Sequence, residues 1–304
     1  FSQTEEKRLA LVIGNSNYDK GPLNNPVNDA LLMARTLDSL DFDVILDTNI
    51  ENKSAFIDVV MQFGDKRPEY DVAFVYYAGH GVQVGAENYL LPTKVDFQKE
   101  TDVRMKAMSV QDIMMYLTGM TNQVNILVLD AWRDNPFEGN WNKTRSLKGG
   151  GLAKIPPPTG SLIAFSTDAG NTAADGDGEN SVYCKNLCHN MMLENTSLDQ
   201  VFRNVRSSVL KATNGNQRPI EASQLTGQAF YLVKSTFDTE FKEIYSLIKL
   251  NKDDSEQDHI GLRKIEKKDA LKALEITTRI ISEDPDNTQA FTLRGEIYYF
   301  LKEF

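Results

Sequence analysis

Cysteine is scarce in this chain of 304 residues, which contains two, Cys184 and Cys188. Within a helix these residues lie one turn apart on the same face, where they cannot join distant parts of the chain. The sequence therefore excludes a fold that depends on a disulfide framework. We expect buried helical cysteines here, and a zinc site formed with His189 lacks a suitable fourth ligand nearby.

Long hydrophobic runs are also absent. The apolar runs, such as residues 9–13 and 126–129, fall far short of the ~20 residues that a membrane-spanning helix needs. Positive charge is in deficit as well, because 33 Lys and Arg residues face 43 Asp and Glu residues, giving a net charge of −10. This charge repels nucleic acid and anionic lipid and favours basic partners. The sequence predicts no membrane span and no nucleic-acid partner.

The cellular compartment stays open. The small number of cysteines favours a reducing environment. The chain nevertheless begins at Phe1 rather than Met, as an exported protein does after removal of a signal peptide. We expect either such an exported protein or, without a signal peptide, a cytoplasmic one.

Short apolar runs rich in β-branched residues alternate with amphipathic stretches, a pattern typical of parallel strands joined by crossover helices. The predicted strands span residues 9–13, 43–46, 72–77, 124–129, 161–166 and 229–233. The predicted helices span residues 28–39, 53–63, 109–117, 181–192 and 198–212. Several strands are apolar on both faces, as a sheet covered by helices requires. The sequence therefore predicts an α/β/α sandwich around a six-stranded, mostly parallel sheet.

Two stretches depart from this alternation. Residues 138–160 combine basic side chains with three consecutive glycines and three consecutive prolines, a composition typical of an exposed loop. Beyond Lys234 the sequence becomes charged and polar, and from Lys267 its periodicity is purely helical. We therefore divide the chain into an α/β domain (1–234), a linker (235–266) and a helical segment (267–304).

The predicted strand at 72–77 leads into His80, which lies between Gly79 and Gly81. Active sites of α/β folds gather at the carboxyl ends of strands, and flanking glycines leave backbone N–H groups open to close approach. His80 is therefore a candidate catalytic residue, and the backbone at Gly81 is a candidate oxyanion-binding group. The structural alternative is a turn histidine without a chemical task.

The predicted strand at 124–129 is followed in a similar way by Asp130 and Trp132. Because parallel strands end at the same edge of a sheet, we expect this turn to lie beside His80. A catalytic histidine needs a nucleophile or a metal as its partner, yet the turn contains no Cys, Ser or second His. Trp132 occupies that place in the sequence.

A set of short motifs runs through the α/β domain. They are residues 8–15, Asn28-Asp29-Ala30, Tyr77-Ala78-Gly79-His80-Gly81, and residues 88–92, 129–137, 160–167, 174–176, 181–183 and 217–219. Together they resemble the caspase-like cysteine peptidases, and in particular their bacterial, metacaspase-related (orthocaspase) branch. The resemblance implies a large-subunit-like region at 8–137, a connecting loop at 138–160 and a small-subunit-like region at 161–234.

The resemblance implies a role for each matched residue. His80 matches the catalytic histidine, and Gly81 matches the turn whose backbone helps to bind the oxyanion. Asp29 and Asp130 match the acidic pair in the specificity pocket of members that cleave after Arg or Lys, and two carboxylates suit a guanidinium or ammonium group. The implied ligand is a basic peptide or protein. From the residues alone, Asp29 as a helix cap and Asp130 as a strand end remain structural alternatives.

The resemblance implies no cofactor and no metal. Calcium-dependent metacaspases carry a dense aspartate cluster after the histidine, and residues 81–96 lack one. The basic loop at 143–154 has two interpretations, a cleavage site for maturation or a solvated linker.

Trp132 stands where the family pattern has its nucleophilic cysteine. An indole cannot act as the nucleophile, so the sequence predicts a chain that is inactive as a cysteine endopeptidase. Two explanations stay open. The chain is either a natural pseudoprotease that serves in binding or regulation, or a variant in which a single base change converted a Cys codon to Trp.

Two other hypotheses about function stay open. The chain is an active hydrolase with another nucleophile, for which Ser166, Thr167 and Ser181 are candidates, or it is a pure binding or adaptor module.

Residues 269–284 and 290–300 resemble the second helix of one tetratricopeptide repeat and the first helix of the next. Small residues at close-packing positions, such as Ala273 and Gly295, are typical of such repeats. Because an array normally needs about three repeats to bury its core, we expect further repeats or docking on the α/β domain. The resemblance implies a protein partner bound through these helices.

Overall fold

The computed structural model describes residues 6–118, 123–132, 152–153, 155–168, 178–234, 237–248 and 266–301. The chain forms two compact units, Phe1–Val233 and Lys234–Phe304. The first contains the sheet and the candidate site, and the second consists of helices.

The first unit is built on a central sheet with the strand order β2-β1-β3-β6-β7-β8. The strands of the unit are β1 (Arg8–Gly14), β2 (Phe42–Thr48), β3 (Val72–Val84), β4 (Glu87–Leu90), β5 (Met108–Ser109), β6 (Val124–Trp132), β7 (Ser161–Phe165) and β8 (Ile220–Ser223). The first five strands of this order pair in parallel, and β8 joins β7 antiparallel. Strand β4 forms a separate antiparallel ladder with the far end of β3 and with β5.

Helices cover both faces of the sheet, so the predicted α/β class with a mostly parallel central sheet is confirmed. The helices of this unit are α1 (Pro26–Asp38), α2 (Lys53–Lys66), α3 (Glu100–Lys106), α4 (Val110–Met115), α5 (Val182–Met191) and α6 (Leu198–Ala212), with a 3₁₀ turn at Arg67–Glu69. Alternate residues of each buried strand face opposite cores. Phe74 and Val128 pack with α1, α5 and α6, whereas Val75 and Leu127 pack with α2 and α4.

The sixth strand of the main sheet differs from the predicted one. It is β8 (Ile220–Ser223), and within the predicted stretch 229–233 Tyr231 makes an isolated bridge with Ser197. The apolar residues of this stretch signal burial rather than strand pairing, because Leu232 packs into the core beside α5 and α6. Strand β8 lies at the sheet edge and is partly exposed, so it lacks a strong apolar pattern.

The second unit is a small helical assembly. It contains α7 (Asp238–Ile248), α8 (Lys267–Glu283) and α9 (Thr288–Leu301), whose apolar faces share one core around Ile244, Ala273 and Leu293. Helix α7 lies in the stretch that the sequence predicted as a linker. The resemblance of α8 and α9 to tetratricopeptide repeats stays a prediction. In the parts of the chain that the structure describes, no helix is long and apolar enough to cross a membrane.

A substitution at Gly14, the last residue of β1, tests how closely β1 packs against α1. A Cβ atom at this position would lie 2.4 Å from the carbonyl oxygen of Pro26 and 2.6 Å from the Cβ of Ala30. We expect Gly14→Ala to lower the free energy of unfolding by about 1–3 kcal/mol in urea denaturation, because α1 cannot move without disturbing the core. Gly295→Ala, where a Cβ meets no atom within 4 Å, is the control and should be neutral or stabilising. Equal stability of Gly14→Ala and the wild type would contradict this packing.

Candidate active site

The candidate site lies where β3 and β6 run side by side. Their parallel register pairs Ala78 with Asp130, Gly79 with Ala131 and His80 with Trp132. Neighbouring strands are about 4.8 Å apart, so the backbones at positions 80 and 132 are direct neighbours. Only the backbone of Trp132 belongs to the described part of the chain. The structure therefore brings together the histidine position and the position at which the family pattern has its nucleophile.

His80 is held by hydrogen bonds to both its ring and its backbone, and its residue is 4 % exposed. Its Nε2 lies 2.6 Å from the carbonyl oxygen of Gly21, and its backbone N–H donates to the Tyr18 hydroxyl at 2.8 Å. Because a carbonyl can only accept, Nε2 carries the hydrogen in this contact. In the neutral ring the lone pair that can take up a proton is then on Nδ1.

Two buried tyrosines support this histidine. The Tyr77 hydroxyl donates to the His80 carbonyl at 2.8 Å and lies 3.1 Å from the Tyr18 hydroxyl. Burial raises the pKa of both tyrosines, so they remain neutral. Gly79 has a positive φ of 152°, and a Cβ there would lie 2.6 Å from the Tyr18 hydroxyl oxygen. Glycine at this position is therefore required by both conformation and space.

The backbone amide of Gly81 is turned away from β4. Gly81 stands opposite Leu90, and the Leu91 N–H donates to the His80 carbonyl at 3.1 Å. This bond identifies Gly81 and Leu90 as a non-hydrogen-bonded pair of the antiparallel ladder. The Gly81 N–H is consequently not used in the ladder with β4.

The last part of the connecting loop borders the site. The Asn88 side chain accepts from the Ala153 N–H at 2.6 Å and donates to the Ala153 carbonyl at 2.8 Å. Leu152 is buried beside Gly81 and Ala131. The basic loop residues Arg145, Lys148 and Lys154, interpreted either as a cleavage site or as part of a solvated linker, lie outside the described residues.

Asp29 and Asp130 are both buried, and one serine connects them. The Ser181 N–H donates to Asp29 Oδ1 at 2.9 Å, and the Ser181 hydroxyl donates to Asp130 Oδ2 at 3.1 Å. The Tyr76 hydroxyl donates to the same Asp130 oxygen at 3.1 Å. Helix α1 begins at Pro26 after Asn25, so Asp29 lies inside the first turn and does not cap the helix.

The negative charge of Asp29 affects the ionisation of Asp130. Burial, and second this charge, raise the pKa of Asp130 to about 7. Hydrogen bonds from Tyr76 and Ser181 act in the opposite direction. At neutral pH, Asp130 is therefore poised between its neutral and ionised forms, and a cation between the two groups would favour ionisation.

The three residues considered as alternative nucleophiles, Ser166, Thr167 and Ser181, are all buried. The Ser181 hydroxyl accepts from the Cys184 N–H at 3.1 Å and so caps α5, in addition to its bond with Asp130. Ser166 and Thr167 are buried directly after β7. The predicted burial of Cys184 and Cys188 in a helix is confirmed. Across the described ranges, no three His, Cys, Asp or Glu side chains are grouped as metal ligands.

Sequence reasoning missed two groups of the site. The Gly21 carbonyl comes from a loop with no motif, and no side-chain pattern could have indicated it. Ser181 was considered as a nucleophile, yet its position directly before α5 is the usual signal of an N-cap.

The mostly parallel sheet covered by helices on both faces defines an α/β fold, with His80 and Asp130 near the ends of neighbouring strands and Asp29 in α1. The family model described as the caspase domain matches residues 7–230, and the chain belongs to this family. Caspase-1 from Spodoptera frugiperda has a similar crystal structure, with a TM-score of 0.56 and 17 % sequence identity over 76 % of this chain and 91 % of that chain. At this identity the similarity shows the fold. No curated protein matches the sequence.

The raised pKa of Asp130 predicts a pH-dependent stability. A carboxyl group that binds its proton more tightly in the folded state contributes full stability below its unfolded pKa of about 4 and loses it as the pH rises to about 7. The free energy of unfolding of the wild type should therefore decline by on the order of a few kcal/mol between these pH values. We expect this decline to be absent in Asp130→Asn, because an amide cannot ionise. Urea denaturation at several pH values measures it, with the exposed Asp58→Asn as control. An equal pH slope in wild type and Asp130→Asn would contradict the electrostatic account.

Two capping serines allow a matched comparison. Ser181 and Ser197 cap α5 and α6 in the same way, but Ser181 also binds both carboxylates. We expect Ser197→Ala to cost about 1 kcal/mol of unfolding free energy, and Ser181→Ala to cost about 1–3 kcal/mol more. Carboxyl NMR should show a further rise in the pKa of Asp130 in Ser181→Ala alone. Equal costs and an unchanged pKa would show that Ser181 is merely a helix cap.

Proposed function

We propose that this caspase-family domain binds Arg or Lys side chains through Asp29 and Asp130 and does not cleave the peptide, because Trp132 replaces the nucleophilic cysteine. The observation that carries the proposal is the buried Asp29–Ser181–Asp130 arrangement beside the end of β6. Burying two neighbouring carboxylates lowers stability, and a cation bound between them would reduce that cost. A guanidinium or ammonium group carries the charge that this requires.

The residues around position 132 fit the family's chemistry except for the nucleophile. With a cysteine there, His80 would receive the thiol proton on Nδ1, because its Nε2 is bonded to Gly21. The Gly81 N–H would bind the oxyanion of the tetrahedral intermediate. The acidic pair would hold the basic side chain before the scissile bond. Tryptophan removes the bond-forming step and leaves the binding groups in place.

Electrostatics supports a preference for basic ligands. A bound cation stabilises the ionised form of Asp130 and displaces its proton. Affinity for an Arg peptide should therefore rise with pH up to about pH 7 and level off above it.

The helical unit would recruit a protein partner, as its resemblance to tetratricopeptide repeats implies. Exposed apolar residues on α9, among them Phe291 and Tyr298, support this proposal because they offer contact area to a partner.

The experiment that tests the proposal is Trp132→Cys, assayed with Arg- and Lys-containing peptides. We expect the wild type to bind without turnover, and Trp132→Cys to cleave at least about 10³-fold faster, because loss of the nucleophile removes most of the catalysis. His80→Ala in the Trp132→Cys background should abolish the gain. Trp141→Cys is the matched control and should stay inactive.

Measurements of peptide binding distinguish the proposed function from its alternatives. Asp29→Asn and Asp130→Asn should each weaken binding of an Arg peptide by at least about tenfold without affecting a peptide that has Ala in place of Arg. Hydrolysis by the wild type that Ser166→Ala, Thr167→Ala or Ser181→Ala abolishes would establish the alternative hydrolase instead. Equal affinity for the Arg and Ala peptides would refute the acidic pocket.

A further inference from the structure

The two cysteines form a close pair that the proposed function does not use. Cys184 and Cys188 lie one turn apart on α5 with their sulfur atoms 3.9 Å apart. Cys184 is fully buried and Cys188 is 5 % exposed. Both are free thiols in van der Waals contact.

Cys184 also touches the atoms that hold the acidic pair. Its N–H donates to the Ser181 hydroxyl at 3.1 Å, and the same hydroxyl donates to Asp130. Its thiol donates to the backbone carbonyl of Asp29 at 3.5 Å. Cys184 is therefore linked to the Asp130 carboxylate by two successive hydrogen bonds through Ser181, and to the backbone of Asp29 by one.

The two thiols differ in reactivity. The neighbouring Cys184 thiol, followed by the Thr36 hydroxyl, lowers the pKa of Cys188, whereas burial raises the pKa of Cys184. Cys188 is thus the thiol that ionises more readily and has the greater exposure. Cys184 is placed to attack an oxidised Cys188 sulfur.

A disulfide between these residues must distort the helix. Residues one turn apart on a helix have Cβ atoms about 5–6 Å apart, whereas a disulfide needs about 3.8 Å. The first turn of α5 would have to deform to close this gap, and Ser181 caps that turn. Strained disulfides are easily reduced and are typical of regulatory sites.

We propose that Cys184 and Cys188 form a reversible disulfide that displaces Ser181 and weakens the binding of basic ligands. The effect on ligands rests on the proposed function, whereas the disulfide and the displacement do not.

The reaction needs a small two-electron oxidant, for which diamide is the probe. The Cys188 thiolate adds to one nitrogen of the diamide N=N bond, and the other nitrogen takes up a proton. The Cys184 sulfur then attacks Cys188 and displaces the hydrazine, which receives the second thiol proton. One S–S bond forms and two S–H bonds are lost, so the thiols are oxidised and the azo group is reduced to a hydrazine.

The experiment treats the full chain with diamide and then with excess dithiothreitol. Intact mass and alkylation after unfolding detect the disulfide, and hydrogen exchange at the Cys184 amide reports its bond to Ser181. Labelled Arg peptide reports binding. We expect oxidation to remove both free thiols, to speed exchange at that amide and to weaken peptide binding at least about tenfold, all reversed by dithiothreitol. The Cys188→Ala control should bind peptide and remain insensitive to diamide.

Three outcomes decide the inference. Failure of diamide to form an intramolecular disulfide would overturn it. A disulfide that leaves exchange at the Cys184 amide unchanged would also overturn it. Peptide affinity that oxidation leaves unchanged, in a reduced protein that does bind peptide, would overturn the effect on ligands. Absence of peptide binding in the reduced protein would refute the proposed function alone, because amide exchange would still decide whether the disulfide displaces Ser181.

Discussion

The parallel pairing of β3 with β6 is the constraint on which the candidate site depends. These strands are buried on both faces, and a slip of one residue would move every apolar side chain into the opposite core. The packing of the two cores therefore fixes the register. As a result, His80 stands opposite position 132 and Ala78 stands opposite Asp130. The hydrophobic effect thus positions the polar groups.

The second constraint is electrostatic. Asp29 and Asp130 come from different elements, yet Ser181 binds both and also begins α5. Two carboxylates buried close together lower the stability of the folded state. Natural proteins often accept such a cost at a ligand site, because groups that bind the charge of a ligand do not stabilise each other. The proposed function depends on this acidic pair and on the hydrogen bonds that hold His80.

Much of the fold was predictable, because buried strands and amphipathic helices carry strong periodic signals. Helix α6 (Leu198–Ala212) has the bounds predicted from its periodicity. Strand β8 was not predicted, since an edge strand of four residues depends on its pairing with β7. The positions of the acidic residues followed from the family resemblance, but their link through Ser181 did not. A hydrogen bond between residues 51 positions apart exists only after the chain has folded.

The central claim is that the acidic pair binds a basic side chain by exchanging a proton for a cation. Isothermal titration calorimetry of an Arg peptide near pH 7, in buffers of different ionisation enthalpy, measures this exchange directly. The account predicts a net release of protons on peptide binding, because a bound cation displaces the proton from the protonated fraction of Asp130. It also predicts that this release vanishes in Asp130→Asn. Binding without proton release, or release that persists in Asp130→Asn, would contradict it.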